Sequence, residues 1–128
     1  MTRAWIWVAP EVAIAAHAEQ LAEHSGGEGL RDLGALESAM AKPENLAAYG
    51  QPDAAALAAA YAFGIVRNHP FVDGNKRTAA VVSEAFLILN EQTLVATDAE
   101  VVVAFVALAA GEMTEEEMAD WFRQRLGD

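Results

Sequence analysis

The segment from Thr78 to Leu89 most constrains the fold of this chain, because it is apolar on almost every side of a helix. A helix that is hydrophobic all round has to be covered by other parts of a protein. The side chains that leave little room for a solvent face are Val81, Val82, Ala85, Phe86, Leu87, Ile88 and Leu89. The sequence therefore predicts that a helix from Asn75 to Asn90 is the buried centre of the fold.

Three helices are predicted before this one, from apolar periodicity and from residues that begin or end helices. Proline suits a first helical turn, and glycines after a periodic segment end a helix. Aspartate caps a helix by accepting hydrogen bonds from its first N–H groups, whereas proline in the interior stops one. The first helix is predicted from Pro10 to about Glu23 and is ended by Ser25-Gly26-Gly27. The second is capped by Asp32 and stopped by Pro43, and the third is capped by Asp53 and runs to about Asn68.

Two helices are predicted after the central one, each opened by a capping box. In this pattern a threonine, and a glutamate three residues later, satisfy the first free N–H groups of the helix. The two pairs are Thr97 with Glu100, for a fifth helix to about Ala110, and Thr114 with Glu117, for a sixth to about Leu126.

Apolar residues that recur at i, i+3, i+4 and i+7 predict which face of each outer helix is turned inward. These faces are Ile14, Ala18 and Leu21 in the first helix, Leu33, Leu36 and Met40 in the second, Val102, Phe105, Val106 and Ala109 in the fifth, and Met118, Trp121 and Phe122 in the sixth.

The expected fold is all-α, a compact bundle of six helices around a buried central helix, in one domain covering residues 1–128. Trp5 to Val8 can be a strand or simply an N-terminal arm. Residues 44–52, which include Tyr49-Gly50 and Pro52, are expected to form an irregular segment or a small hairpin. Strand content is therefore predicted to be minor at most.

Charge and composition exclude several classes of function. The formal net charge is -11, from 8 basic and 19 acidic residues, and a nucleic-acid interface normally needs a basic face. The chain has no cysteine, so disulfides and thiolate chemistry are excluded. The longest apolar run, Ala54 to Val66, has 13 residues, fewer than the ~20 that span a bilayer. We expect a cytoplasmic protein that binds neither nucleic acid nor membrane.

The chemistry is concentrated between His69 and Arg77, at the start of the predicted central helix. A helix N-terminus has unpaired N–H groups that favour anions, and Lys76 and Arg77 add full positive charges there. Gly74 allows the backbone to approach a ligand closely. Asp73 can hold Mg²⁺ together with phosphate oxygens, and His69 can take a proton from a hydroxyl. These residues indicate a phosphate site with a nearby base.

The same nine residues, His69-Pro70-Phe71-Val72-Asp73-Gly74-Asn75-Lys76-Arg77, resemble the HxFx(D/E)GNGRxxR motif of the Fic/Doc superfamily. Lys76 replaces the second glycine of that motif, and Ala80 stands where the adenylylating members have a second arginine. Lys76-Arg77 followed by Thr78-Ala79 is instead similar to the Doc (death on curing) branch, the toxins of toxin–antitoxin pairs. The Gly26-Gly27 turn, the segment Gly29-Leu30-Arg31-Asp32 and the acidic last helix also look Doc-like.

The resemblance implies a six-helix Fic/Doc-like fold and an ATP-dependent protein kinase that inhibits translation. Its expected target is elongation factor Tu, aligned by a flap at residues 44–52. His69 would be the catalytic base and Asp73 the Mg²⁺ ligand. The phosphate-binding residues would be Gly74, Asn75, Lys76 and Arg77. An antitoxin would bind the chain by folding a helix into an apolar groove.

Two alternatives stay open at this point: protein adenylyl transfer, as in most Fic proteins, and a catalytically silent module that binds an antitoxin. The inhibitory pattern (S/T)xxxE(G/N) of many Fic enzymes is most nearly approached at residues 25–29, which have one residue too few. Restraint is therefore expected from another chain.

Other residues have weaker signals. His17 lies near the predicted inner face of the first helix and is interpreted as structural. His24 and Arg31 flank the glycine turn and can approach a nucleotide. Trp5 and Trp7 fit equally well with a core position or with an exposed contact.

Overall fold

The computed structural model describes residues 4–24 and 29–127, and for Glu23 and His24 it describes the backbone only. Within these residues the chain forms six helices and one two-stranded sheet, which confirms the all-α prediction. The elements are α1 Pro10–His24, α2 Leu33–Ala48, α3 Ala54–Asn68, α4 Asn75–Leu89, β1 Thr93–Leu94, α5 Asp98–Ala109, α6 Glu115–Arg123 and β2 Leu126–Gly127. The predicted helix stop at Ser25-Gly26-Gly27 lies outside the described residues.

The predicted helix caps are confirmed. The Asp32 side chain accepts a hydrogen bond from the Ala35 N–H at 3.0 Å, and Asp53 accepts one from the Ala56 N–H at 2.9 Å. Thr97 with Glu100, and Thr114 with Glu117, form complete capping boxes. These local bonds satisfy N–H groups that helix geometry leaves free, so the sequence alone determines where four helices begin.

The central helix is α3, and the assignment of that position to the Asn75–Asn90 helix was wrong. Ten of its fifteen residues are buried, and it packs against α2, α4, α5 and α6. Small residues allow this close packing: a Cβ on Gly64 would lie 3.2 Å from the Cα of Ala39 on α2. By contrast, α4 is half-covered and exposes Val81 and Ile88.

Proline does not stop α2, contrary to the prediction. Pro43 lies inside the helix, which continues to Ala48, and residues 44–52 therefore form no hairpin. The proline removes one backbone donor and crowds the preceding turn, but its ring is buried, and this burial offsets the local cost.

The small sheet lies elsewhere, after α4 and at the end of the chain. β1 pairs antiparallel with β2, with Thr93 opposite Gly127 and Leu94 opposite Leu126. The last helix consequently ends at Arg123, three residues before the predicted end at about Leu126.

Residues 4–9 form an arm without strand structure, and side chains of the core hold it in place. The Asn90 amide bonds both the N–H and the carbonyl of Ile6 at 2.9 Å, and the Tyr61 hydroxyl accepts the Val8 N–H at 2.9 Å. Trp5 and Trp7 each pack 5.9 Å from the Phe86 ring, so both tryptophans contribute to the core.

The predicted inner faces of α1 and α5 are only partly inside. Among the α1 side chains that the structure describes, Ala13 and His17 are buried, whereas Ile14 and Ala18 are exposed. In α5, Phe105 is buried as predicted, but Ala109 is exposed and the side chains of Val102 and Val106 are 60% and 48% exposed. In α2, Leu36 and Met40 are buried but Leu33 is exposed. In α6, Met118 and Phe122 are buried and Trp121 packs beside them.

No helix in the described residues is both long and apolar enough to span a bilayer.

Candidate active site

The loop from His69 to Gly74 joins the C-terminus of α3 to the N-terminus of α4. His69 ends α3 in a left-handed conformation, with φ 50° and ψ 54°, and its N–H donates to the Ile65 carbonyl at 3.1 Å. Its side chain is exposed, and within the described chain the imidazole has no hydrogen-bond partner. The position of the imidazole therefore depends on the backbone that carries it and not on a side-chain hydrogen bond within the described residues.

The N-terminus of α4 is built to receive an anion. Gly74 is the N-cap, with φ 77° and ψ 17°, and the first helical bond runs from the Thr78 N–H to the Gly74 carbonyl at 3.0 Å. The N–H groups of the preceding turn therefore have no helical acceptor. Lys76 and Arg77 are exposed in this turn. Partial and full positive charges thus point to the same space.

Asn75 holds the loop by a two-point clamp on Phe71. Its Oδ1 accepts the Phe71 N–H at 3.0 Å, and its Nδ2 donates to the Phe71 carbonyl at 2.9 Å. Asn75 and Phe71 are both buried. Because the side-chain amide is occupied by these bonds, Asn75 shapes the anion site through the backbone that it fixes.

Helix α1 covers the loop with two polar side chains, His17 and Gln20. The His17 ring is buried, stacks on Phe71 with centroids 4.0 Å apart, and places Nε2 2.7 Å from the Asp73 carbonyl. A carbonyl only accepts, so this Nε2 carries the proton. A Cβ on Gly74 would lie 3.3 Å from the Gln20 Oε1, which leaves room there for glycine but little for a side chain.

The segment before α2 supports the loop from another side. Leu30 and Phe71 form an isolated antiparallel bridge, and the backbone N–H groups of Arg31 and Asp32 both donate to the Pro70 carbonyl. The Arg31 guanidinium donates to the carbonyls of Asn68 and His69. Arg31 therefore contacts the main chain at the end of α3, and its approach to a nucleotide stays a prediction.

Asp73 offers a carboxylate at the edge of the site. One oxygen accepts the Gly74 N–H at 2.8 Å, and the other has no hydrogen bond within the described residues. No group of three or more potential metal ligands occurs in that part of the chain. A single fixed carboxylate fits Mg²⁺, which commonly binds through one or two carboxylates and the phosphates of a substrate.

A cavity of about 590 Å³ lies between the motif loop and helix α1. All six residues predicted for the site lie on its wall, namely His69, Asp73, Gly74, Asn75, Lys76 and Arg77. His17, Gln20 and Leu21 of α1, Val66 of α3 and Ala109 of α5 complete the lining. A base, a carboxylate and an anion-binding helix end therefore face the same space.

A sequence model of the Fic/DOC family matches residues 7–87, more than half of the chain. The chain belongs to the Fic/DOC family. It is 30% identical over 122 residues to the protein kinase doc of Escherichia phage P1, covering 94% of this chain and 95% of that protein. It is also 43% identical over 75 residues to the toxin Doc of Mycolicibacterium smegmatis, covering 56% of this chain and 57% of that protein. These similarities place it on the Doc branch of the family.

Sequence reasoning interpreted His17 as structural, gave Gln20 no role, and said of Arg31 only that it can approach a nucleotide, so none of the three was assigned a role in the site of this Fic/DOC protein. The partners of His17 and Arg31 are backbone carbonyls 56 and 38 residues away in sequence, and a carbonyl leaves no signature in a sequence. The one available signal was a histidine on an otherwise apolar helix face, which has to find a polar partner when it is buried. His24, the other histidine considered near the site, has no described side chain.

Proposed function

We propose that this chain is a Doc-type toxin that transfers the γ-phosphoryl group of ATP to a hydroxyl of a protein target. The observation that carries the proposal is the shared cavity, in which His69 faces the N-terminus of α4 together with Lys76 and Arg77. A base that can deprotonate a hydroxyl and a cationic anion site are the two parts that phosphoryl transfer to a hydroxyl requires.

In the proposed reaction, His69 accepts the proton of the attacking hydroxyl as its oxygen bonds to the γ-phosphorus. The bond from that phosphorus to the β,γ-bridging oxygen breaks, and ADP leaves with the electron pair. The first-turn N–H groups of α4, with Lys76 and Arg77, stabilise the charge on the transferring oxygens. Fixed donors aimed at developing charge are commonly the largest contribution to catalysis.

Asp73 is the residue that would hold Mg²⁺, because its carboxylate lines the cavity and one of its oxygens is fixed by the Gly74 N–H. When bound, the ion would neutralise phosphate charge. The protein contributes the loop geometry, through the clamp of Asn75 on Phe71 and the bond between His17 and the Asp73 carbonyl.

Kinase activity is favoured over adenylyl transfer by the residues of the first turns of α4. Ala80 stands where adenylylating members have their second arginine, and it packs against the core. The site therefore has Lys76 and Arg77 but no cation at position 80. The similarity over almost the full length to a relative named a protein kinase supports the same choice.

A second cavity, about 800 Å³, lies beside the site and suits the target polypeptide. Its lining includes Lys42, Tyr49 and the neighbouring residues 50–52, and it reaches Asn68, which directly precedes His69. Tyr49 is 92% exposed, so an incoming chain can contact it.

We propose a translation factor, elongation factor Tu, as the target, and the cytoplasm as the location.

The partly exposed apolar faces of three helices support an antitoxin partner. Helices α1 and α5 both pack against α4. Each contributes an apolar residue to the lining of the site cavity, Leu21 on α1 and Ala109 on α5. We call these three surfaces the docking faces: Ile14, Ala18 and Leu21 on α1, Val81 and Ile88 on α4, and Val102, Val106 and Ala109 on α5. Apolar side chains on adjoining helices form the kind of groove that accepts an amphipathic helix.

The proposed reaction is tested with γ-labelled and α-labelled ATP in parallel, each added to cell extract with the purified chain. We expect protein labelling from γ-labelled ATP only. His69→Ala should reduce the rate by about 10² to 10⁴-fold, the usual contribution of a general base, while ATP affinity and the thermal unfolding midpoint are kept.

Other outcomes would reject specific parts of the proposal. Labelling from α-labelled ATP alone would make the chain an adenylyltransferase. No labelling of a verified target would leave a silent binding module. Near wild-type turnover by His69→Ala would remove the base from the mechanism.

A further inference from the structure

We propose that Arg31 is a positioning residue for the catalytic base, because its guanidinium holds the left-handed turn that directs His69 into the cavity. The inference rests on the proposed function only for the role of His69. Arg31 is itself absent from the residues that line the cavity, so it would act through His69 and not on the substrate.

Three hydrogen bonds join Arg31 to the end of α3. Its Nε and Nη2 donate to the His69 carbonyl at 2.8 and 2.6 Å, and Nη2 also donates to the Asn68 carbonyl at 3.1 Å. Charged donors make the stronger hydrogen bonds, and a cation at a helix C-terminus also complements the partial negative charge of the last carbonyls. The arginine therefore holds the two peptide groups that flank the His69 Cα.

The backbone that carries Arg31 is fixed to the same loop. The N–H groups of Arg31 and Asp32 donate to the Pro70 carbonyl at 2.7 and 3.0 Å, and the Val72 N–H donates to the Gly29 carbonyl at 3.2 Å. Because the backbone of Arg31 is bonded to residue 70, its guanidinium reaches residues 68 and 69 from a fixed position. Arg31 therefore contacts the motif loop through both its backbone and its side chain.

The constraint matters because His69 is in a conformation that residues with a Cβ rarely adopt. Its φ of 50° lies in the left-handed region, which costs free energy and persists only where the surrounding contacts hold it. Since the imidazole has no hydrogen-bond partner in the described chain, rotation of the backbone would move the base directly. A displacement of about 1 Å in a catalytic group can reduce a rate roughly 100-fold.

Arg123 provides a matched control at the opposite end of the same helix. It is also exposed, and it donates from Nε and Nη2 to the Asp53 carboxylate that caps α3, at 2.7 and 2.9 Å. Removing either guanidinium deletes bonds that hold one end of α3. Only the loss of Arg31 should affect His69.

The test compares wild type, Arg31→Ala, Arg31→Lys and Arg123→Ala, using whichever ATP label the wild type transfers. We expect Arg31→Ala to lower kcat roughly 100-fold while KM for ATP changes less than about twofold. Arg31→Lys should recover part of the loss, because an ammonium can still donate to a carbonyl. Arg123→Ala should keep the wild-type kcat. In a His69→Ala background, Arg31→Ala should cause no additional loss if the two residues act as a unit.

A second measurement does not depend on catalysis. The three-bond coupling between the His69 amide and α protons reports its φ, and we expect Arg31→Ala, but not Arg123→Ala, to change it. A chain without transfer activity would therefore reject the proposed function while still testing the role of Arg31. The inference is overturned by an unchanged coupling, by equal effects of Arg31→Ala and Arg123→Ala on kcat, or by a higher KM for ATP at unchanged kcat.

Discussion

At the scale of single residues, Gly74 combines two requirements that only glycine meets: a positive φ and the close approach of α1. We predict that Gly74→Ala lowers the free energy of unfolding by about 1–2 kcal/mol for the left-handed backbone alone. An additional loss should come from contact with the Gln20 Oε1, which a Cβ would meet at 3.3 Å, whereas the His17 ring at 3.5 Å is at ordinary contact distance. Weaker ATP binding should follow, because the same residue begins α4.

Gly111→Ala separates these two effects. Gly111 has φ 78°, almost the same as Gly74, but a Cβ added there would meet no atom within 4 Å. Chemical denaturation of both variants, with ATP titration, measures the difference. Equal losses of stability and unchanged ATP affinity in the two variants would show that α1 places no constraint on the loop.

The six residues predicted for the site are close in sequence, and this is why they could be found together. A loop between two helices brings its own residues to one place whatever surrounds it. Arg31 and His17 reach the loop from other elements, and their partners are main-chain oxygens, which every residue has. No pattern in a single sequence distinguishes the carbonyl of His69 from any other, so these contacts required the tertiary structure.

At the scale of elements, local hydrogen bonding was predictable and tertiary packing was not. The caps at Asp32, Asp53, Thr97 and Thr114 depend on residues at most three apart. The continuation of α2 past Pro43 depends on burial against the rest of the bundle, which outweighs a local preference. The identity of the central helix likewise depends on alanine and glycine packing, whereas the sequence interpretation followed side-chain hydrophobicity.

The N-terminus of α3 gives a prediction about acid stability. Hydrogen bonds from Arg123 lower the pKa of Asp53 below its ordinary value of 3.8, and desolvation opposes this only in part. An unfolded Asp53 therefore takes up protons at a higher pH than the folded one does. The stabilisation is complete above the unfolded pKa of about 3.8 and is lost as the pH falls through the lower folded pKa.

Asp53→Asn should remove this pH-dependent part, because asparagine still caps a helix but carries no charge. We expect a loss of up to ~1 kcal/mol at neutral pH, the range for exposed ion pairs, that shrinks as the pH falls towards 3. Denaturant titrations between pH 3 and 7 measure it. Asp32→Asn, a cap without an arginine partner in the described chain, controls for the exchange of capping groups. A pH-independent difference between wild type and Asp53→Asn would contradict the assignment.

At the scale of the whole molecule, periodicity identified apolar helix faces correctly but could not identify what covers them. Ile14 and Val102 were predicted to be inside, and both are exposed. An apolar face that binds a second chain has the same sequence pattern as one that packs within its own domain. The docking faces are therefore where the predicted core and the observed core differ most.

Substitutions on α5 test these faces. Val102 and Val103 are both exposed valines of one helix, but they point about 100° apart, and only Val102 shares its face with Ala109 at the cavity. We predict that Val102→Glu weakens binding of an antitoxin at least ~10-fold, whereas Val103→Glu has little effect. In cells that also produce the antitoxin, growth should be restored for Val103→Glu and not for Val102→Glu.

Both variants should keep His69-dependent growth inhibition when they are produced alone. Loss of toxicity in Val102→Glu would mean that the face serves the reaction. Equal binding by Val102→Glu and Val103→Glu would place the partner elsewhere.

The acidic composition has a consequence for the chain before it meets a partner. With a net charge of -11 at pH 7, two free copies repel one another while their apolar helix faces remain uncovered. That repulsion acts over a Debye length, which falls from about 10 Å at 0.1 M salt to about 3 Å at 1 M. The charge repulsion therefore opposes self-association of the chain through its exposed apolar faces. Concentrated salt would screen this repulsion and leave the contacts inside the fold unchanged.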